Sequence, residues 1–140
     1  RASVIVNRHW EEGMASSLRF GVASLPPACH AAMVLLGDQV AVTADDLKRL
    51  VSAWQGEESM IAASVYEQRV GVPAIFPRLC FTELAELRGD QGARMVLERN
   101  NYRLVRVPMA NAAIDLDTPE DLAALNERFQ RAETTHSVEN

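Results

Sequence analysis

Apolar runs of strand length alternate along this chain with segments in which apolar residues recur every three or four positions. The strand-like runs are Ser3–Val6, Ala31–Leu36, Met60–Tyr66, Gly71–Phe76 and Arg103–Pro108. The helical patterns lie between and after them. Alternation of this kind is typical of βα units whose helices cover a sheet. The pattern therefore predicts an α/β protein with a mainly parallel sheet.

Two of the apolar runs carry more specific information. Ala31–Leu36 is apolar at every position, which is typical of a parallel strand covered on both faces, so we expect it to be central. Gly71–Phe76 contains Pro73, which has no backbone N–H for the sheet ladder. We therefore expect Gly71–Phe76 to be a hairpin arm or an edge strand.

The helices carry start and stop signals. Thr43 with Asp46 resembles a capping box, and Pro26-Pro27 ends the helix that starts near Gly13. Thr118 followed by Pro119 marks the start of the last helix. The predicted helices cover residues 13–25, 43–54, 82–87, 90–98 and 118–131. Residues 1–131 are then one domain, and we expect the polar residues 132–140 to be a disordered tail.

Composition excludes several classes of function. The 140 residues carry a formal charge of −5 and scattered arginines, so no basic surface is expected to bind nucleic acid. No apolar run approaches the roughly 20 residues that span a bilayer, which predicts a cytoplasmic protein with no membrane partner. The motifs of P-loop NTPases, α/β-hydrolases, zincins and dinucleotide-binding enzymes are all missing.

The chemistry is expected where strands end, because ligands of open α/β sheets bind beyond the carboxyl ends of the strands. Asp38 directly follows the apolar Ala31–Leu36 run, and Asp115 and Asp117 precede the last helix. If Asp38 and Asp117 converge, they form an oxygen-ligand site for Mg²⁺ that bridges nucleotide phosphates. The spacing alone fits equally well if Asp38 is only a turn residue and Asp117 only caps the last helix.

Two other places offer groups for a ligand. Gly13 and Ser17 lie at the start of a helix, where free N–H groups and hydroxyls can meet a base or an anion, although ordinary capping explains them as well. Arg94 lies in the segment after Gly89 and could pair with a phosphate. A surface arginine explains it nearly as well.

Several segments in register resemble the MobA-like NTP transferases and, more narrowly, their molybdenum cofactor cytidylyltransferase branch. The resemblance extends over most of residues 3–126. The segments that carry it are Asn7–Trp10, Gly13–Leu18, Leu36–Gln39, Tyr66 with Gly71–Phe76, Leu87–Arg94 and Ile114–Leu122.

The resemblance implies a Rossmann-like, three-layer sheet of the GT-A type that transfers CMP from CTP to molybdopterin-bound molybdenum and releases pyrophosphate. It further implies Mg²⁺ as cofactor and a molybdenum hydroxylase as the protein that receives the product. By this resemblance Asp38 and Asp117 would bind the metal and act in catalysis, and Gly37 and Gln39 would contact the ligand beside the metal. Gly13 and Ser17 would contact the cytosine and the ribose. The pterin side of the site would be lined by Gly71, Pro73 and Arg94.

The sequence departs from the family pattern in two places. The family opens with a strand and a glycine-rich LAAGxSxRxGxxK loop that holds the triphosphate, and this sequence contains neither. Val40 stands where the family most often has proline. We therefore expect this chain to be N-terminally truncated and, by itself, inactive or very weak.

Two alternatives remain open. A related enzyme of the same fold could use GTP, or could act on a sugar phosphate or polyol phosphate. A noncatalytic module could instead keep the fold in order to dock on a molybdenum hydroxylase.

Overall fold

The protein is an α/β structure, described by a computed structural model for residues 2–116 and 118–136, with side chains described up to residue 127. Helices and strands alternate along it, as the hydrophobic pattern predicts. The elements are α1 (Met14–Ala23), β1 (Ala31–Val34), α2 (Ala44–Trp54), β2 (Ile61–Tyr66), β3 (Arg69–Pro77), α3 (Phe81–Glu86), α4 (Arg94–Arg99), β4 (Leu104–Pro108) and α5 (Pro119–His136).

The four strands form one mixed sheet in the order β1-β3-β2-β4. β3 is antiparallel to both β1 and β2, and β2 is parallel to β4. Three strands therefore point the same way, and the carboxyl ends of β1, β2 and β4 share one edge of the sheet. The sheet is more mixed than expected because the reversed strand β3 lies between β1 and β2.

β2 and β3 form a hairpin. The turn residues Glu67 and Gln68 have φ angles of 49° and 60°, the left-handed geometry of a two-residue hairpin turn. The register of the pair shifts between Ala63 and Ser64, and the bulge accommodates Pro73, whose ring cannot donate to the ladder. The hairpin interpretation is confirmed, whereas the edge-strand interpretation is wrong because β3 pairs on both sides.

The prediction that Ala31–Leu36 forms a central strand is wrong for the described residues, since β1 pairs with β3 alone and lies at an edge. All of β1 is half-buried, and Leu35 is 45% exposed. The predicted strand Ser3–Val6 is not formed either, and Val4 is 90% exposed. An extended segment becomes a strand only where a neighbouring strand accepts its hydrogen bonds. Among the described residues, β1 has such a neighbour on one side only, and Ser3–Val6 has none.

Helices cover both faces of the sheet, and alternation along the strands divides the core between them. On β2, Ile61 and Ala63 belong to the cluster with α1, α3 and α4, whereas Ala62 belongs to the cluster with Leu50 of α2 and Val107 of β4. This is the expected three-layer arrangement. Within the described ranges, no helix has the length and apolar character to cross a membrane.

The helix ends follow local rules with one exception. Thr43 and Asp46 form the capping box of α2, and the Thr118 side chain and backbone bond to Asp121 in the same way at the start of α5. α4 begins at Arg94, later than predicted, so Asp90 does not cap it. α5 extends through His136, into the segment expected to be a tail, while residues 137–140 lie outside the described residues.

Asp46 also ties α2 to the segment that follows β4. Its carboxylate accepts a hydrogen bond from Asn111 Nδ2 at 2.8 Å and pairs with Arg49 at 2.7 Å. Burial by itself raises the pKa of Asp46, but the hydrogen bonds from Asn111, Thr43 and Arg49 outweigh it and hold the pKa well below its usual range. The segment around Asn111 is thereby fixed against the helix layer.

The loop between α3 and α4 packs against the first turn of α1. Gly89 accepts a hydrogen bond from Ala15 N at 3.0 Å, so the two backbones approach closely. Gly13 has φ 112°, and a Cβ atom on it would overlap the Gly89 carbonyl group and the Asp90 carboxylate. Glycine at position 13 is therefore required by the fold, whatever ligand it contacts.

We predict that Gly13→Ala lowers the free energy of unfolding by about 2 kcal/mol or more, because alanine is strained at this φ angle and meets rigid backbone. The measurement is urea denaturation. Gly21→Ala is the matched control, because Gly21 lies in α1 with nothing near its Cβ position and alanine favours helix. Equal midpoints for Gly13→Ala and the wild-type chain would show that Gly13 has no such structural role.

Candidate functional site

The turn after β1 presents a carboxylate at the carboxyl edge of the sheet. Asp38 and Gly37 are both exposed, and no heavy atom lies within 4 Å of the position that a Cβ of Gly37 would take. The Asp38 carboxylate can therefore be reached by an ion or a ligand from the open side, as expected from its place after the strand.

A main-chain hydrogen bond joins this turn to the segment that follows β4. The Leu116 N–H donates to the Asp38 carbonyl oxygen at 3.1 Å, and Val40 N donates to the same oxygen at 2.8 Å. The bond brings two segments of distant sequence position side by side at the sheet edge. Asp117 itself lies outside the described residues, so its convergence with Asp38 stays a prediction.

Gln39 holds the same turn from inside. It is 6% exposed, and its Nε2 donates to the Val72 carbonyl at 2.8 Å and to the Ala112 carbonyl at 2.9 Å. Leu36 N donates to its Oε1 at 3.4 Å. Because both amide hydrogens of Gln39 serve main-chain carbonyls, the side chain joins the turn, β3 and the segment after β4. The expected contact between Gln39 and a ligand gains no support from this geometry.

An open groove of about 540 Å³ runs between α1 and β1 toward the start of α4. Most of its lining is apolar. Ser17 on α1, Gly71 on β3 and Arg94 on α4 all line it, so the fold brings three of the expected ligand residues together. Pro73 is fully buried because β3 is an interior strand, so it does not line the groove as the sequence led us to expect.

The first turn of α1 separates two neighbouring serines. Ser16 is buried and donates to the His9 carbonyl at 2.9 Å. Ser17 is exposed at the groove and accepts a hydrogen bond from Asn7 Nδ2 at 3.0 Å. Ser16 therefore serves the fold, whereas Ser17 keeps a hydroxyl toward the groove.

Arg94 reaches the groove from the first residue of α4. It forms an ion pair with Glu98 at 2.9 Å, with the two side chains 54% and 55% exposed. Exposed pairs of this kind contribute little stability, about 1 kcal/mol or less. A phosphate in the groove can therefore attract the guanidinium group at small expense to the fold.

Tyr66 is a groove residue to which sequence reasoning assigned no role. The residue ends β2, and its ring lies over Gly71, where any side chain would overlap the phenol. Burial, and after it the nearby Asp115 carboxylate, raises the pKa of Tyr66, so the hydroxyl stays protonated at neutral pH. The sequence feature that could have indicated this role is a tyrosine that faces a glycine across a predicted hairpin.

Asp38 is an exposed carboxylate at the carboxyl edge of the sheet, where a metal ion would have access to it. In the described part of the chain, which omits residue 117, no three His, Cys, Asp or Glu side chains are grouped so as to hold a metal ion. Mg²⁺ in nucleotide-binding proteins is commonly held by one or two carboxylates together with substrate phosphates. An exposed carboxylate beside Gly37 fits that mode of binding.

Three solved structures similar to this chain come from mycobacteria. The homologue of Mycobacterium tuberculosis Rv0371c from Mycobacterium sp. strain JC1 has a TM-score of 0.68 and 28% identity over 86% of this chain. Rv0371c from M. tuberculosis H37Rv has a TM-score of 0.64 and 31% identity over 81%, and its manganese complex has 0.62 and 31% over 79%. The chain spans 60%, 59% and 59% of these three proteins.

A search of curated proteins found no significant match. The model of the MobA-like NTP transferase domain matches residues 1–106, which include α1, the Asp38 turn and the groove. This chain belongs to the MobA-like NTP transferase family.

Proposed function

We propose that this chain is the larger part of a nucleotidyltransferase that transfers CMP from CTP to molybdopterin-bound molybdenum and thereby supports the maturation of a molybdenum hydroxylase. The observation that carries the proposal is the hydrogen bond from Leu116 N to the Asp38 carbonyl. It joins the turn that bears an exposed carboxylate to the segment that leads to Asp117. Family membership and the groove beside this turn support the same reading.

The proposed reaction is a single displacement at phosphorus. An oxygen of the acceptor's terminal phosphate forms a bond to the α-phosphorus of CTP, the bond from that phosphorus to the bridging oxygen breaks, and pyrophosphate leaves. The protein forms no covalent bond, so it acts by positioning the two substrates. Asp38 and Asp117 would hold Mg²⁺, which neutralises phosphate charge when bound.

The manganese complex of Rv0371c supports a divalent metal in this fold. Mn²⁺ and Mg²⁺ both prefer oxygen ligands in octahedral geometry. Ser17 lines the groove from α1 and Gly13 lies just before this helix, and we assign both to the nucleotide side. Gly71 and Arg94, which line the groove from β3 and α4, are assigned to the acceptor side.

We further propose that an additional strand, supplied by polypeptide preceding residue 1, pairs with the outer edge of β1. Among the described residues this edge has no partner, and the groove beside it is apolar. β1 consists of apolar residues but is only half-buried, which is the pattern of a strand that lacks a neighbour. The added strand would fill the slot between α1 and β1 and leave the Tyr66 end open.

Leu35→Arg tests the added strand. Leu35 lines the groove and is 45% exposed, and Val51 on α2 is 50% exposed, so Val51→Arg is a matched control. We predict that both variants of the present chain have similar thermal midpoints. In the polypeptide extended at its N-terminus, Leu35→Arg should melt at least about 5 °C below Val51→Arg, because it buries a charge. Equal midpoints in the extended polypeptide would contradict the proposal.

Asp38→Asn tests the transferase itself. In the extended polypeptide with CTP, molybdopterin and Mg²⁺, we expect kcat/KM to fall on the order of 100-fold or more, because an amide holds the cation poorly. Asp45→Asn is the control, since Asp45 is an exposed residue of α2 that pairs with Lys48. Pyrophosphate release reports the rate.

The same assay separates the alternatives. Turnover of GTP in place of CTP would reject the cytidylyl assignment, and turnover with a sugar phosphate would reject the acceptor. If no nucleotide is consumed, a titration with Mg²⁺·CTP, followed by Trp10 and Trp54 fluorescence, decides between the transferase and the docking module. A flat titration would reject the transferase and leave the docking module.

A further inference from the structure

We propose that Tyr66 is a substrate-binding residue, whose hydroxyl donates a hydrogen bond to the phosphate of the acceptor while Arg94 pairs with the same group. The inference rests on the proposed function and adds to it the residue that orients the acceptor. Three features of the described structure carry it.

The first feature is the close packing of the Tyr66 side chain on Gly71, its diagonal neighbour across the β2–β3 hairpin. The hydroxyl and the adjoining ring carbons lie where a Cβ atom of residue 71 would be, so a larger residue there would displace them. Gly71 is buried in an interior strand, so its backbone cannot move away easily. A ring held in this way presents its hydroxyl at one place and loses little conformational freedom when a ligand binds.

The second feature is the contrast between the hydroxyl and the rest of the groove. Tyr66 and Arg94 bring polar groups to the part of the groove that the added strand leaves open, and the neighbouring lining residues Gly71, Val72 and Ala93 carry no polar side chains. Binding sites typically combine apolar walls with a few placed polar groups that fix orientation. A phosphate-bearing acceptor with an apolar ring face fits that division.

The third feature is the set of groups that act on the hydroxyl. Asp115, Arg69, Gln39 and Arg94 are all close enough to influence it electrostatically or by hydrogen bonding. These residues come from the segment after β4, the start of β3, the turn after β1 and the start of α4. The hydroxyl therefore lies where the Asp38 turn meets the acceptor end of the groove, which is where the two substrates must meet.

Tyr66→Phe tests the inference, because it removes the hydroxyl and keeps the ring on Gly71. In the extended polypeptide we expect the KM for molybdopterin to rise about 10- to 100-fold, as for the loss of a hydrogen bond to a charged group, with the KM for CTP unchanged. Tyr102→Phe is the matched control, since Tyr102 is 84% exposed. Gly71→Ala, which displaces the ring, should raise the same KM and also lower the thermal midpoint.

Molybdopterin binding measured by calorimetry without CTP separates this inference from the proposed function. If the wild-type protein binds molybdopterin but transfers no nucleotide, the function fails, and weaker binding by Tyr66→Phe still supports the role of Tyr66. If transfer proceeds with an unchanged KM in Tyr66→Phe, the inference is wrong and the function stands. A lower thermal midpoint with unchanged affinity would assign the hydroxyl to the fold, and no binding by the wild-type protein would reject both proposals.

Discussion

The candidate site depends on the attachment of one turn, residues 37–39, to the segment that follows β4. The Leu116 N–H donates to the Asp38 carbonyl, and the buried Gln39 amide donates to carbonyls of β3 and of Ala112. A buried amide that lacks partners destabilises a fold by about 1–3 kcal/mol, so the two bonds of Gln39 hold the turn to both neighbouring segments. Asp38 is placed by the backbone of its own turn, and its carboxylate stays available.

The features that the sequence predicted correctly are set by neighbouring residues. The capping box of Thr43 and Asp46 and the hairpin between β2 and β3 follow from local chemistry. Pairing between distant strands follows from the whole chain, which explains why β1 was expected at the centre and lies at the edge. The place of Pro73 in an interior strand depends on a bulge that leaves Val72 and Pro73 without partners on β2, and no pattern in the sequence marks that bulge.

The site was predicted in part for the same reason. Position after a strand marked Asp38, and the fold brings Ser17, Gly71 and Arg94 to one groove. Sequence patterns do not distinguish an amide that meets a ligand from one that serves the main chain, so the internal role of Gln39 was not foreseen. The requirement for glycine at position 13 likewise comes in part from the Gly89 carbonyl group, a contact between residues far apart in the chain.

The central claim is that Asp38 and Asp117 bind one metal ion. A crystal structure of the N-terminally extended polypeptide with Mg²⁺ and CTP tests it most directly, through the distances from the ion to the carboxylate oxygens of both residues. The account predicts that each carboxylate contributes an oxygen about 2.1 Å from a single ion that also contacts the CTP phosphates. An ion held by other residues, or carboxylates too far apart to share one, would contradict it.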